Sequence, residues 1–257
     1  MKYSVAVLLI VFLLIGCSKK EDTIVPPQLV QYGLGNNLTE SVSNNRDYAW
    51  YLDQGNTGTF SDVNCGPSSV TMAIKWFNKS FTLTPQDARA MFRPYGGWWY
   101  TDDIINYLNY NTVTNSTIAL KEISLLKNEL DNGNIAILAL DMYYVDLVSN
   151  LSYHVDKFYL SQTKGWGHFI VIKGYKVVDN QIFYEAYDPF SFGKTYADHT
   201  LKGVDRYYRS VNLDNATNNW WDYAIVVSPA AHQSGGRVTG SINQGVDPAT
   251  IQHKPGR

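Results

Sequence analysis

The run Ile135-Ala136-Ile137-Leu138-Ala139-Leu140 divides the chain into two regimes. Six consecutive apolar residues behind the turn pair Asn132-Gly133 read as a buried strand. Upstream of it, apolar residues recur at helical spacing. Val70, Ala73, Ile74 and Phe77 mark one amphipathic, buried helix, and a second starts at Pro85, capped by Thr84 with Asp87 in its first turn, and ends before Pro94. Thr101-Asp102-Asp103 caps a third, striped by Ile104, Ile105 and Leu108, and Ile123, Leu126 and Leu130 mark a fourth. Downstream, residues 168–175 and 182–188 read as two antiparallel strands around a turn at Asp179-Asn180, and Tyr223-Ala224-Ile225-Val226-Val227 as a last strand before Pro229. Helices first and an antiparallel sheet last make an α+β domain.

With 257 residues, 45% hydrophobic and 17% charged, the chain can bury one good core. A net charge of -2, with no basic cluster beyond Lys19-Lys20, offers no field for nucleic acid. Residues 1–16 carry Lys2 and an apolar run from Val5 to Ile15, too short to span a bilayer, and read as a signal peptide. The run ends in Leu14-Ile15-Gly16-Cys17, which resembles the lipobox of bacterial lipoproteins, so Cys17 is expected to be acylated. Acyl chains would hold the protein at a membrane of the cell envelope, on the periplasmic face or the cell surface. Residues 17–44, with Pro26-Pro27 and an Asn-rich stretch, read as a polar tether, 45–229 as the domain, and 230–257 as a disordered tail.

If Cys17 is lipidated, Cys65 has no partner for a disulfide within the chain, and a free thiol in an exported protein invites a catalytic explanation. It sits in Asn64-Cys65-Gly66-Pro67-Ser68-Ser69, where Pro67 suits a first helical turn and the helix N-terminus favours an anion such as a thiolate. A small buried cysteine is the competing reading. His168 opens the first strand of the hairpin, and the turn brings Asp188, near the end of the second, within a few positions of it. An imidazole that takes the thiol proton and a carboxylate that orients the imidazole complete a nucleophilic set. Gln54, upstream in a loop, can add its amide to the Cys65 N–H as a second donor for an oxyanion. Trp98, Trp99 and Tyr100 form an aromatic loop that lines a substrate groove or packs in the core, and the tyrosine-rich stretch 141–164 reads as an insertion over the site. No metal is expected, because His154, His199, His232 and His253 fall in no ligand spacing with Cys65, and no cofactor is implied.

Taken in order, Gln54, Asn64 to Ser69, Gly167 to Tyr175 and Tyr187-Asp188-Pro189 resemble the cysteine peptidases that process bacteriocin leaders at a double glycine. The similarity covers most of residues 48–228 and implies a papain-like fold acting on a peptide or protein. It implies Cys65 as nucleophile, His168 as general base and acid, Asp188 as its orienting residue and Gln54 in the oxyanion hole. The chain lacks the membrane spans and ATPase of the transporter-linked members and looks more like free-standing relatives. Two alternatives stay open: a transglutaminase-like acyl transfer to an amine, and a non-catalytic surface lipoprotein that grips peptide or glycan with Trp98, Trp99 and Tyr100.

Overall fold

A computed structural model describes residues 27–229. The signal peptide, Cys17 and the tail from residue 230 lie outside the described residues. Seven strands form one sheet: β1 (Leu38–Ser43), β2 (Asn115–Ala119), β3 (Ile135–Asp141), β4 (Gly167–Val178), β5 (Gln181–Tyr187), β6 (Arg206–Arg209) and β7 (Tyr223–Val227). Their order is β2-β7-β3-β4-β5-β6, every pairing is antiparallel, and β1 pairs with the second half of β4. The α-helices of the described residues are α1 (Pro27–Gln31), α2 (Cys65–Phe77), α3 (Pro85–Met91), α4 (Thr101–Tyr110), α5 (Leu125–Asp131) and α6 (Ser210–Asn218).

The apolar run of β3 is unbroken because both of its faces are covered. Ile135, Ile137 and Ala139 join the core beneath α2 and α4, while Ala136, Leu138 and Leu140 join a second core beneath α5 and α6. α2 is buried on nearly all sides, lying against β4 and β3 and under α3 and α4, so its polar Ser68, Ser69 and Thr71 are interior too. That differs from the amphipathic helix expected, since a central helix has no solvent face.

Residues 27–43 belong to the folded domain and not to a tether. Within residues 27–44, α1 places Leu29 in a small core with Val155, Phe183 and Tyr207, and β1 pairs with β4 from Leu38↔Val178 to Ser43↔Gly174. A polar, edge-located strand carries no apolar alternation of its own, and its folding comes from the partner strand. The same reason hides β2 (Asn-Ser-Thr-Ile-Ala), β6 (Arg-Tyr-Tyr-Arg) and the polar helix α6.

The hairpin of β4 and β5 turns through Asp179 and Asn180, both at positive φ, as a two-residue turn requires. Near the turn the strands pair as Val178↔Gln181, but at Lys173 an extra residue enters β4, so the far end pairs as Val171↔Tyr187. The residue after Tyr187 therefore comes opposite Ile170, on the same parity of β4 as His168. Without the bulge Asp188 would fall opposite Val171 and on the other parity, because a one-residue slip exchanges the faces of a strand.

Candidate active site

Cys65 is the first residue of α2, and its side chain points into a cleft shared with His168 at the start of β4. Two local requirements place it there. A Cβ on Gly66 would lie 2.7 Å from the Trp99 Cβ, so only glycine lets the helix approach that ring. From the other side, Ser69 Oγ donates to the Phe169 carbonyl at 3.1 Å, which fastens the first turn of α2 to the residue after His168.

His168 and Asp188 are both buried, with His168 Nε2 2.7 Å from Asp188 Oδ1. That bond leaves the Nδ1 side of the ring free, and His168 shares its cleft with Cys65, its electrostatic neighbour. Burial alone would lower the imidazole, but the Asp188 charge, its hydrogen bond and then the neighbouring Cys65 outweigh it and hold His168 above its ordinary value. For Asp188, burial opposes the charge, and the His168 charge and hydrogen bond, with the Tyr208 hydroxyl and the Phe190 N–H, hold the carboxyl below its ordinary value. The rings of Tyr159, Trp166 and Phe190 surround the imidazole at 5.8–6.1 Å between centroids. Tyr159 belongs to the stretch 141–164, which thus does reach the site.

Gln54 is buried, does not line the cleft, and begins a 3-10 turn. Its main-chain N–H donates to the Pro189 carbonyl at 2.8 Å, next to Asp188, and its Nε2 donates to Ser61 O at 2.9 Å, leaving a second amide hydrogen. The Asn64 amide donates to Thr57 Oγ1 at 2.9 Å, and Thr57 Oγ1 donates to the Gln54 carbonyl at 2.6 Å. Gln54 is therefore braced against both the residue before Cys65 and the residue after Asp188. Asp53 reinforces this by accepting from the main chain of Phe192 and Gly193 at 2.9 and 2.8 Å.

Trp98, Trp99 and Tyr100 line the Cys65 cleft, joined by Trp220 and Trp221. Trp99 is also a core residue, packed edge-on against Phe92 and Tyr107. The space left beside the thiol is about 10 Å³, room for about one water, and Cys65 is only 4% exposed. Among the described residues no group of three His, Cys, Asp or Glu side chains forms a metal site. His154 stacks between Tyr32 and Tyr196, far in role from the cleft.

Arg89 was not anticipated. Buried on α3, it donates to Asn64 Oδ1 at 2.8 Å, to Val63 O at 2.9 Å and to Gly97 O at 2.8 Å, tying the turn before Cys65 to the root of the aromatic loop. Burial lowers its guanidinium from the ordinary value and the Cys65 charge acts in the opposite sense, so the two are electrostatic neighbours. The signal was present: Arg89 follows Pro85 by four positions and shares its buried face with Ala88. Trp220 and Trp221 follow α6, and without that helix nothing in the sequence brings them to Cys65.

No protein-family model matches the chain, and no curated protein matches it in sequence. Among solved structures, one from Bacillus anthracis, provisionally described as a C39-like peptidase, is similar over 76% of this chain and 100% of that one, with a TM-score of 0.50 and 13% sequence identity. At that identity the likeness is one of fold. The architecture is α+β and papain-like.

Proposed function

We propose that this chain is a cysteine peptidase that hydrolyses peptide bonds in a peptide or protein, exported and held at the bacterial cell envelope by lipid on Cys17. The observation that carries the enzymatic part is the buried series thiol, imidazole, carboxylate, with His168 Nε2 2.7 Å from Asp188 and His168 sharing one cleft with Cys65. In this reading the Cys65 sulfur attacks the scissile carbonyl carbon while His168 carries the proton. Negative charge moves to the carbonyl oxygen, which takes a hydrogen bond from the Cys65 N–H, unpaired at the first helical position, and, once the cleft opens toward Gln54, a second from the remaining hydrogen of its amide. The C–N bond then breaks as His168 passes its proton to the leaving amine. Water attacks the thioester, gives a proton to the imidazole, and the C–S bond breaks to return the thiolate.

Treatment of the full chain with a thiol-directed peptidase inhibitor, followed by peptide mass mapping, tests this together with a peptide library. One adduct on Cys65, and library cleavage that Cys65→Ala abolishes, are expected. An unmodified Cys65 with the library bound but intact would leave a binding protein. The anchor rests on Leu14 to Cys17 alone, and radiolabelled palmitate entering the wild type but also Cys17→Ala would refute it.

A further inference from the structure

Asp188 is fully buried, and its carboxylate accepts four hydrogen bonds. Oδ1 takes His168 Nε2 at 2.7 Å and the Phe190 N–H at 2.9 Å, while Oδ2 takes the hydroxyls of Tyr208 at 2.5 Å and Tyr159 at 3.0 Å. The two phenols arrive from separate parts of the chain. Tyr208 lies on β6, paired with Tyr184 of β5, and Tyr159 lies in the connection between β3 and β4. Both rings are sealed, at 0% and 5% exposure. Burial, and after it the Asp188 charge, push both phenols well above their ordinary value, so each keeps its proton and donates. Phenylalanine would fill the same space. The hydroxyls are the atoms that need a reason.

A buried carboxylate with one oxygen on an imidazole and the other in apolar surroundings is free to rotate or to take up a proton. We propose that Tyr159 and Tyr208 are positioning residues for the reaction: their hydroxyls clamp Asp188 Oδ2, so the carboxylate stays ionised and presents Oδ1 to His168. This rests on the peptidase reading of Cys65 and His168. The titratable and charged groups facing the carboxylate are His168 on β4 with Cys65 behind it on α2, Tyr208 and Arg206 on β6, and Tyr159; Tyr51 and Tyr196 complete the surroundings. The Tyr51 hydroxyl binds the Asp188 main-chain carbonyl at 2.9 Å, and Arg206 is engaged by the Val155 carbonyl at 2.9 Å and the Tyr196 hydroxyl at 2.5 Å. Among the described residues, Tyr159 and Tyr208 alone thus serve Oδ2.

The test is the rate of Cys65 alkylation by iodoacetamide against pH, read by peptide mass on the full chain. Tyr159→Phe and Tyr208→Phe each remove a donor from a charged acceptor, which should raise the acid limb of the profile by about one pH unit. The double variant should move it further. Tyr184→Phe is the control, because that equally buried phenol donates to the Ile123 carbonyl at 2.8 Å and not to Asp188; its profile should match the wild type. An unmoved acid limb in a folded Tyr159→Phe or Tyr208→Phe protein overturns the clamp, and if one variant does not fold the other decides. Failure of the peptidase reading looks different: wild-type Cys65 would react no faster than a free thiol at any pH, and the clamp would fall with it.

Discussion

Lys173 Nζ lies 2.5 Å from Glu185 Oε1 and 2.8 Å from Asp205 Oδ1, with the lysine side chain wholly buried. Lys173 is the extra residue of the bulge in β4, so this contact fixes the bulge and the bulge fixes the register from which Asp188 emerges. Lys173→Met should cost about 3 kcal/mol or more, because it strands the buried Glu185 carboxylate, whose Oε2 already lacks a partner. Adding Glu185→Leu should recover much of that loss by removing the stranded charge. Urea unfolding of the single and double variants measures both, and a neutral Lys173→Met would separate the ion pair from the bulge.

The hairpin shows how far the residues could be read. The turn at Asp179-Asn180 and both strands were legible, since alternation and turn chemistry are local, and so were Cys65, His168 and Asp188 as neighbours. The register was not, because the bulge depends on a buried Lys173 whose partners lie in β5 and at Asp205. β1 and α6 fold through tertiary contacts and leave no periodic trace, so neither the start of the domain before residue 45 nor the approach of Trp220 and Trp221 to Cys65 is legible in the residues. Arg89 is the reverse case: its position on the buried face of α3 was readable, but its acceptors Val63, Asn64 and Gly97 were not.

The His168–Asp188 pair gives stability a signed dependence on pH. His168 is raised from 6.5 on folding, so its contribution is full below 6.5 and is lost as pH climbs through the raised value. Asp188 is lowered from 3.8, so its contribution is full above 3.8 and is lost as pH falls through the lowered value. The stability gap between wild type and Asp188→Asn should therefore be widest between pH 3.8 and 6.5 and shrink toward alkaline pH. Activity should rank differently from charge: asparagine keeps an oxygen for the imidazole N–H, and phenol hydroxyls can turn to accept from its amide, so Asp188→Asn should lose less than His168→Ala, with Asp188→Ala between. Melting curves across pH and initial rates on one cleaved peptide check the two halves. A gap that widens above pH 6.5 would contradict the pairing.

Gln54 should act on turnover alone. Its amide is braced by Ser61 O and its main chain by Pro189 O, so under the proposed role Gln54→Ala removes an oxyanion donor without touching the imidazole. Turnover should fall about 100-fold or more, with Cys65 alkylation almost unchanged, as expected when a contact forms only in the transition state. A neutral Gln54→Ala would leave the second donor to another group.

The aromatic cover makes the last prediction. Cys65 is 4% exposed with about 10 Å³ beside it, so no peptide reaches the sulfur until part of the wall moves. The candidates differ in how firmly they are held. Trp99 and Trp221 are buried in the core, whereas Trp98 and Trp220 are half-buried at the rim. The segment before Trp98 passes through Gly96 and Gly97, both at positive φ, and a Cβ on Gly97 would meet nothing, so the strand of chain has open space on that side. Opening should involve Trp98 with Trp220 and leave Trp99 in place. A bulky maleimide should then react with wild-type Cys65 far more slowly, relative to iodoacetamide, than it does with a small thiol peptide. Trp98→Ala and Trp220→Ala should raise the maleimide rate several-fold with little change in the iodoacetamide rate, while Trp99→Ala, which hollows the packing against Phe92 and Tyr107, should cost about 3 kcal/mol or more of stability. If the maleimide to iodoacetamide ratio in the wild type equals that of the free peptide, the wall is already open in solution and the rim tryptophans do not gate the thiol.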